Sequence, residues 1–154
     1  MDSYYFDTSA LAKCYVVEMG SSWVQTVVAQ QGGQTLYTSV LTQPERVSAL
    51  QRRVREGNLE ADQAVELARQ VAVHMTQSYA LVAIAAPVIA RACEALQKHP
   101  LRAYDALHLA CAQVVREALE AQQLSVPIFV ASDDALLAAA TAEGFGVENP
   151  LQHA

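Results

Sequence analysis

Four acids, Asp7, Glu45, Asp105 and Asp133, sit where a carboxylate can do chemistry: at the opening of helical stretches, inside otherwise apolar sequence. Asp7 follows the aromatic run Tyr4-Tyr5-Phe6 and precedes Thr8-Ser9-Ala10-Leu11. Asp105 stands within Ala103-Tyr104-Asp105-Ala106-Leu107-His108-Leu109-Ala110, and Asp133 comes one residue after Pro127-Ile128-Phe129-Val130-Ala131. Taken singly, each is a helix-start residue, favoured there by about 0.3–1 kcal/mol through the helix dipole. Thr42-Gln43-Pro44-Glu45 even matches a capping box with Thr42 as the cap. Taken together, they fall on one edge of a sheet. Converging carboxylates repel one another and raise each other's pKa, which a bound divalent cation relieves. An all-oxygen donor set suits Mg²⁺ or Mn²⁺ rather than zinc, because no His or Cys has ligand spacing. Such an ion acidifies water and clamps phosphoryl oxygens, so the chemistry points to phosphodiester hydrolysis.

The elements that must position these acids alternate. Strands are expected at Tyr4–Phe6, Leu36–Thr38, Tyr79–Ile84 and Pro127–Ala131, with a short last edge strand within 144–148. Helices are expected over Ala10–Val16, from Ser21 until Gly32-Gly33, over Thr42–Glu56, Glu60–Ser78, from Pro87 to His99, over Ala103–Gln122 and over Ser132–Glu143. This alternation implies an α/β fold with a central parallel sheet of about four or five strands flanked by helices. The two consecutive helices between Thr42 and Ser78 interrupt it and form a protruding helical hairpin. In open parallel sheets ligands bind at the carboxyl ends of strands, where Asp7 and Asp133 both lie.

Composition sets the outer bounds. The 154 residues fit one domain, 1–150, with 151–154 as a short C-terminal tail. The hydrophobic fraction of 53% supports a substantial core and leaves apolar surface for a partner. No apolar run reaches the roughly 18–20 residues a membrane span needs. Met1-Asp2-Ser3-Tyr4 lacks the basic and apolar regions of a secretory signal, which places the protein in the cytoplasm. Cys14, Cys93 and Cys111 are widely spaced and read as buried, reduced thiols. A net charge of −6 argues against broad adhesion to nucleic acid. Lys13 and Lys98 are the only lysines, so a local basic patch must be built from arginine. Arg46, Arg52, Arg53 and Arg102 are the candidates for guiding an RNA phosphate; a solvated helix face is the plainer reading of the first three. His108, three residues after Asp105, reads as a packed histidine, and Tyr4, Tyr5 and Tyr104 as core aromatics that can otherwise stack on bases.

The chain resembles the PIN-domain nucleases, and especially the VapC-like toxins of bacterial and archaeal toxin–antitoxin pairs. The resemblance is carried by Tyr5-Phe6-Asp7-Thr8-Ser9-Ala10-Leu11, Ser39-Val40-Leu41-Thr42-Gln43-Pro44-Glu45 and Leu101 to Ala110. Ala131-Ser132-Asp133-Asp134-Ala135-Leu136-Leu137 and Gly144 to Pro150 complete the set. It implies a PIN-like fold and a Mg²⁺- or Mn²⁺-dependent endoribonuclease. It further implies a cognate antitoxin that inserts a segment into the acidic groove, and a homodimer. Asp7, Glu45, Asp105 and Asp133 match the family's catalytic, metal-holding acids, and Ser9 its frequent hydroxyl neighbour of the first aspartate. Asp134 competes with Asp133 for the fourth role; the register of the following Leu-Leu-Ala-Ala favours Asp133 and leaves Asp134 supporting it. Ala131 stands where the family often carries a hydroxyl, and Gln43-Pro44 before Glu45 is unusual.

Three other functions are weaker. A phosphatase of the haloacid-dehalogenase type wants a second acid two residues after the first, where Ser9 stands. A phosphoacceptor receiver wants a lysine after a late strand, which neither lysine supplies. A non-catalytic PIN-like interaction module is the remaining alternative, opposed by the intact acids.

Overall fold

The computed structural model describes residues 2–30 and 33–153. Five strands among them form one sheet: β1 (Ser3–Phe6), β2 (Thr35–Ser39), β3 (Ala80–Val82), β4 (Ile128–Val130) and β5 (Val147–Glu148), in the spatial order β3-β2-β1-β4-β5. Each of the four pairings is parallel. Seven helices connect them: α1 (Thr8–Ala12), α2 (Ser21–Ala29), α3 (Thr42–Arg55), α4 (Ala61–Gln77), α5 (Ala86–Lys98), α6 (Ala103–Ala121) and α7 (Asp134–Ala142). The fold is the α/β arrangement of a central parallel sheet flanked by helices expected from the sequence.

The order of the sheet explains where the site lies. From β1 the chain builds outward through β2 to β3, then crosses back to add β4 and β5 on the other side. The direction of winding thus reverses beside β1, opening a crevice at the carboxyl ends of β1 and β4. Strand alternation divides the core between two faces. Tyr5 and Phe129 pack with Val88 of α5, Leu109 of α6 and Leu136 of α7 on one face. Phe6 and Val130 pack with Leu11 of α1, Val24 of α2 and Val71 and Met75 of α4 on the other. Each such side chain contributes about 1.5–3 kcal/mol by burial, which fixes β1 firmly between its covering helices.

The structure modifies four local expectations. Helix α1 ends at Ala12 rather than Val16: the Lys13, Cys14 and Tyr15 N–H groups turn to carbonyls three residues back, and Ser21 Oγ donates to the Val16 carbonyl (2.9 Å). Thr42 is not a capping residue: Leu41 occupies that place, and the Thr42 hydroxyl is engaged by Thr38 Oγ1 at 2.7 Å. Helices α3 and α4 do pack as a hairpin. Only its tip protrudes, since Val71 and Met75 belong to the core. Cys93 is exposed rather than buried; α5 turns Val88, Ala92 and Ala95 inward and the next position outward. Gly33 lies beyond the end of α2, while Gly32 falls outside the described residues. At the end of the chain, Pro150–Gln152 forms a 3₁₀ turn against α2. Gly20 (φ +87°) permits that approach, since a Cβ there would lie 2.4 Å from the Pro150 carbonyl oxygen.

Candidate active site

Asp7 leaves β1 at the crevice. Its backbone N–H donates to the Val130 carbonyl (3.0 Å), the final link between β1 and β4. Its carboxylate caps α1, with Oδ1 accepting from the Ala10 N–H at 2.9 Å. Ser9 Oγ lies 2.8 Å from both carboxylate oxygens and donates to one at a time. Ser9 in turn accepts from the Ser132 N–H at 3.4 Å, tying α1 to the turn before α7. The residue is only 4% exposed, and no cation pairs with it among the described residues. Burial pushes its pKa up to about 6, against the opposing pull of nearby His108 and the Ala10 and Ser9 hydrogen bonds; the charge of Asp105 adds to the rise.

Glu45 projects from the first turn of α3. Its Oε1 meets His108 Nε2 at 3.1 Å, an interaction bridging α3 and α6. His108 is buried and has two further partners: Thr8 Oγ1 at 3.0 Å on the same nitrogen, and the Tyr5 hydroxyl at 2.9 Å on Nδ1. Sequence reasoning treated His108 as packed and gave Thr8, Thr38 and Thr42 no part in the site. The three-residue spacing from Asp105 signalled only a shared helix face, because the Glu45 contact crosses 63 residues of sequence.

Asp105 is half-buried in the first turn of α6. Its pKa is raised, first by burial and then by the charge of Asp133, with Glu45 contributing and His108 and Arg102 opposing. Asp133 caps α7, accepting from the Leu136 N–H at 2.9 Å. The charge of Asp133, and not that of Asp134, is among those that raise Asp105. Both aspartates are exposed, Asp134 as the first residue of α7.

Glu45 and Asp105 border an open groove of about 640 Å³, with Thr8 and Ser9 on its floor and Tyr104 on its rim. Arg46, Arg52 and Arg102 also line it, but Arg53 does not. The arginines differ in character. Arg52 and Arg102 are exposed, whereas Arg46 is buried, with Nε lacking a hydrogen-bond partner and its pKa lowered by that burial. Tyr15, Glu18 and Cys14, from the segment after α1, oppose that lowering, while Arg53 adds to it. Of the three tyrosines, Tyr5 is core, Tyr4 is partly buried, and Tyr104 is 57% exposed beside Asp105.

The acids are gathered at one end of the sheet without forming a finished cage. Among the described residues, no three His, Cys, Asp or Glu side chains stand ready to enclose an ion. The donor chemistry nevertheless fits a hard divalent cation: carboxylate and hydroxyl oxygens dominate, and the buried Asp7 carboxylate has no ion-pair partner among the described residues.

A family model described as "PIN domain" matches residues 4–142, from β1 through the last helix. The chain belongs to the PIN domain family. Solved structures share the fold of this PIN domain at low identity. A toxin–antitoxin complex from Klebsiella pneumoniae is 16% identical, with a TM-score of 0.60 over 96% of this chain and 97% of that one. VapBC2 from Rickettsia felis, bound to a DNA fragment from its promoter, is 9% identical, with a TM-score of 0.60 over 96% and 98% of the two chains. PAE2754 from Pyrobaculum aerophilum is 19% identical, with a TM-score of 0.61 over 99% of this chain and 85% of that one. No curated protein matches the chain significantly.

Proposed function

We propose that this PIN domain is a divalent-metal-dependent endoribonuclease and the toxin of a toxin–antitoxin pair. The observation that carries the reading is Asp7: a buried carboxylate without a cationic partner among the described residues, at the crevice of the sheet, coupled in charge to Asp105. Asp7 and Asp105 are the principal metal-holding groups, with Glu45 and Asp133 completing the set. A Mg²⁺ or Mn²⁺ ion held there supplies Lewis acidity and an acidified water for attack on the phosphodiester. The protein's own contribution is placement. Ser9 and the α1 N-terminus hold the Asp7 carboxylate in one orientation, and α3 and α6 present Glu45 and Asp105 across the groove. Arg52 and Arg102 offer charge to the phosphates of an RNA strand, and Tyr104 offers a face for a base. Arg46, being buried, serves the strand indirectly by steadying Glu45's helix.

RNA, rather than an extended duplex, suits a short groove on a protein of net charge −6, where few phosphates can be met at once. The antitoxin partner is supported by neighbours solved as toxin–antitoxin complexes. A homodimer and a cytoplasmic setting belong to the same reading. No helix among the described residues is long and apolar enough to cross a membrane.

The test is cleavage of a panel of structured RNAs by purified, antitoxin-free protein with Mg²⁺ or Mn²⁺. Cuts that vanish with EDTA and in the Asp7→Asn and Asp105→Asn variants support the assignment. A well-folded protein that cuts none of the panel with either metal shifts it to the non-catalytic interaction module.

A further inference from the structure

Beyond the four acids, the interior beneath the groove contains a chain of hydrogen bonds whose direction is fixed at one end. Thr38 Oγ1 lies 2.8 Å from the Phe6 carbonyl, which can only accept, so Thr38 donates there. Its hydroxyl proton is thereby committed, and Thr42 must donate to Thr38 across 2.7 Å. Thr8 then donates to Thr42 across 3.4 Å. Thr8 Oγ1, with its own proton spent, can only accept from His108 Nε2 at 3.0 Å. The proton on Nε2 also faces Glu45 Oε1 at 3.1 Å, and an ionised carboxylate accepts but never donates. Two independent lines, the hydroxyl chain and the carboxylate, thus place the hydrogen on Nε2. In the neutral imidazole Nδ1 is then the acceptor for the Tyr5 hydroxyl at 2.9 Å.

We infer that His108 is a positioning residue for Glu45, held as the Nε2–H tautomer by Tyr5 on one side and the Thr38–Thr42–Thr8 chain on the other. The inference rests on Glu45 being one of the acids that hold the cation. Four members of the network are nearly inaccessible, while Thr8 is partly exposed to the groove: Tyr5 and Thr38 are 0% exposed, Thr42 1% and His108 2%. The imidazole therefore cannot swing away to water, and it anchors Oε1 while Oε2 has no protein partner among the described residues. Glu45 would otherwise be a three-torsion side chain on the first turn of α3, free to wander over the groove. Supporting hydrogen bonds of this kind typically change metal affinity by about 10–100-fold when removed.

The first experiment needs no variant: long-range ¹H–¹⁵N correlation of the imidazole nitrogens in metal-free protein near pH 7.5. The Nε2–H pattern is expected for His108, and an Nδ1–H pattern overturns the inference. The second is Mn²⁺ titration of the wild type, His108→Leu and His108→Gln, with thermal unfolding of each. His108→Leu should bind Mn²⁺ about 10–100-fold more weakly, and His108→Gln, whose amide can donate near the Nε2 position, should recover most of the loss. A folded His108→Leu that binds as tightly as the wild type overturns the inference. The Glu45 carboxyl ¹³C resonance separates this failure from that of the metal reading. Wild type that binds no Mn²⁺ removes the metal site; His108 still positions Glu45 if that resonance moves in His108→Leu, and does not if it stays put.

Discussion

Helix α1 carries a buried charge at each end, and the two are treated in opposite ways. Lys13 and Asp7 are each 4% exposed. Lys13 Nζ reaches Glu18 Oε1 at 3.0 Å, so its charge is met within the protein. Asp7 has hydrogen bonds from Ser9 and Ala10 but no ion-pair partner among the described residues, and burial lifts its pKa to about 6. Six residues apart, on the same short helix, one ionic group is structural and the other is held in deficit. A fold that neutralises Lys13 had the means to neutralise Asp7 as well. The exception falls at the sheet's winding reversal, beside Asp105, which is where a ligand is expected.

The contrast breaks most sharply at Asp7 itself. Asp7→Asn keeps the hydrogen-bonding shape and removes the charge, so RNA cleavage should fall on the order of 10³-fold or more. The same variant should raise the unfolding temperature of metal-free protein at pH 7.5 by a few degrees, since a disfavoured buried charge is gone. Loss of cleavage with no gain in stability, read by calorimetry, contradicts the idea of a charge held in deficit.

The pH dependence of stability follows with a definite sign. Asp7 has a folded pKa of about 6, above the ordinary 3.8 of an aspartate, so the native state binds the extra proton. The stability associated with that proton is present at about pH 4 and below, and is lost as pH rises through about 6. The shift corresponds to an effect on the order of 3 kcal/mol. Urea unfolding from pH 4 to 7.5 should show wild type losing stability relative to Asp7→Asn, and parallel curves count against it. Saturating Mn²⁺ should reverse the trend in the wild type, because ligation requires the ionised carboxylate.

At the other end of α1, the pair predicts an asymmetry. Glu18→Gln strands the Lys13 ammonium in the interior and should cost about 1–3 kcal/mol, less than a fully buried pair because Glu18 itself is 45% exposed. Lys13→Met leaves an acid that water can reach, and should change stability by less than about 1 kcal/mol. Both should cleave RNA normally at temperatures where they are folded. Equal costs in chemical denaturation would show that Lys13 is solvated in solution.

The smallest effect is expected at the groove rim. Tyr104→Ala should weaken RNA binding by about 1 kcal/mol, raising KM roughly fivefold without touching kcat. A change confined to kcat would place Tyr104 among the positioning groups instead of the binding surface.

The sheet and its helices were legible from the sequence because apolar periodicity and Gly or Pro boundaries are local signals. The acids were legible for a related reason: each follows a strand or opens a helix, and strand order then gathers them. What stayed hidden depended on contacts between distant residues. Thr42 looked like a cap because its spacing to Glu45 suits one, yet Thr38 takes its hydroxyl and His108 takes the Glu45 carboxylate. Arg46 looked like a solvated neighbour of Arg52, yet its side chain is buried. Cys93 looked buried from its apolar neighbours, and only the rotation of α5 about Val88 and Ala92 turns it outward.

Whether the unpaired charge of Asp7 awaits a cation is tested most directly by calorimetric titration of Mn²⁺ into wild type and Asp7→Asn at pH 5 and pH 7.5. Binding to the wild type should be clearly tighter at pH 7.5, where Asp7 is ionised, and should be abolished or reduced by orders of magnitude in Asp7→Asn at both. Equal affinities for the two proteins, or wild-type binding indifferent to pH across that interval, would contradict the assignment of Asp7 as the charge around which the site is built.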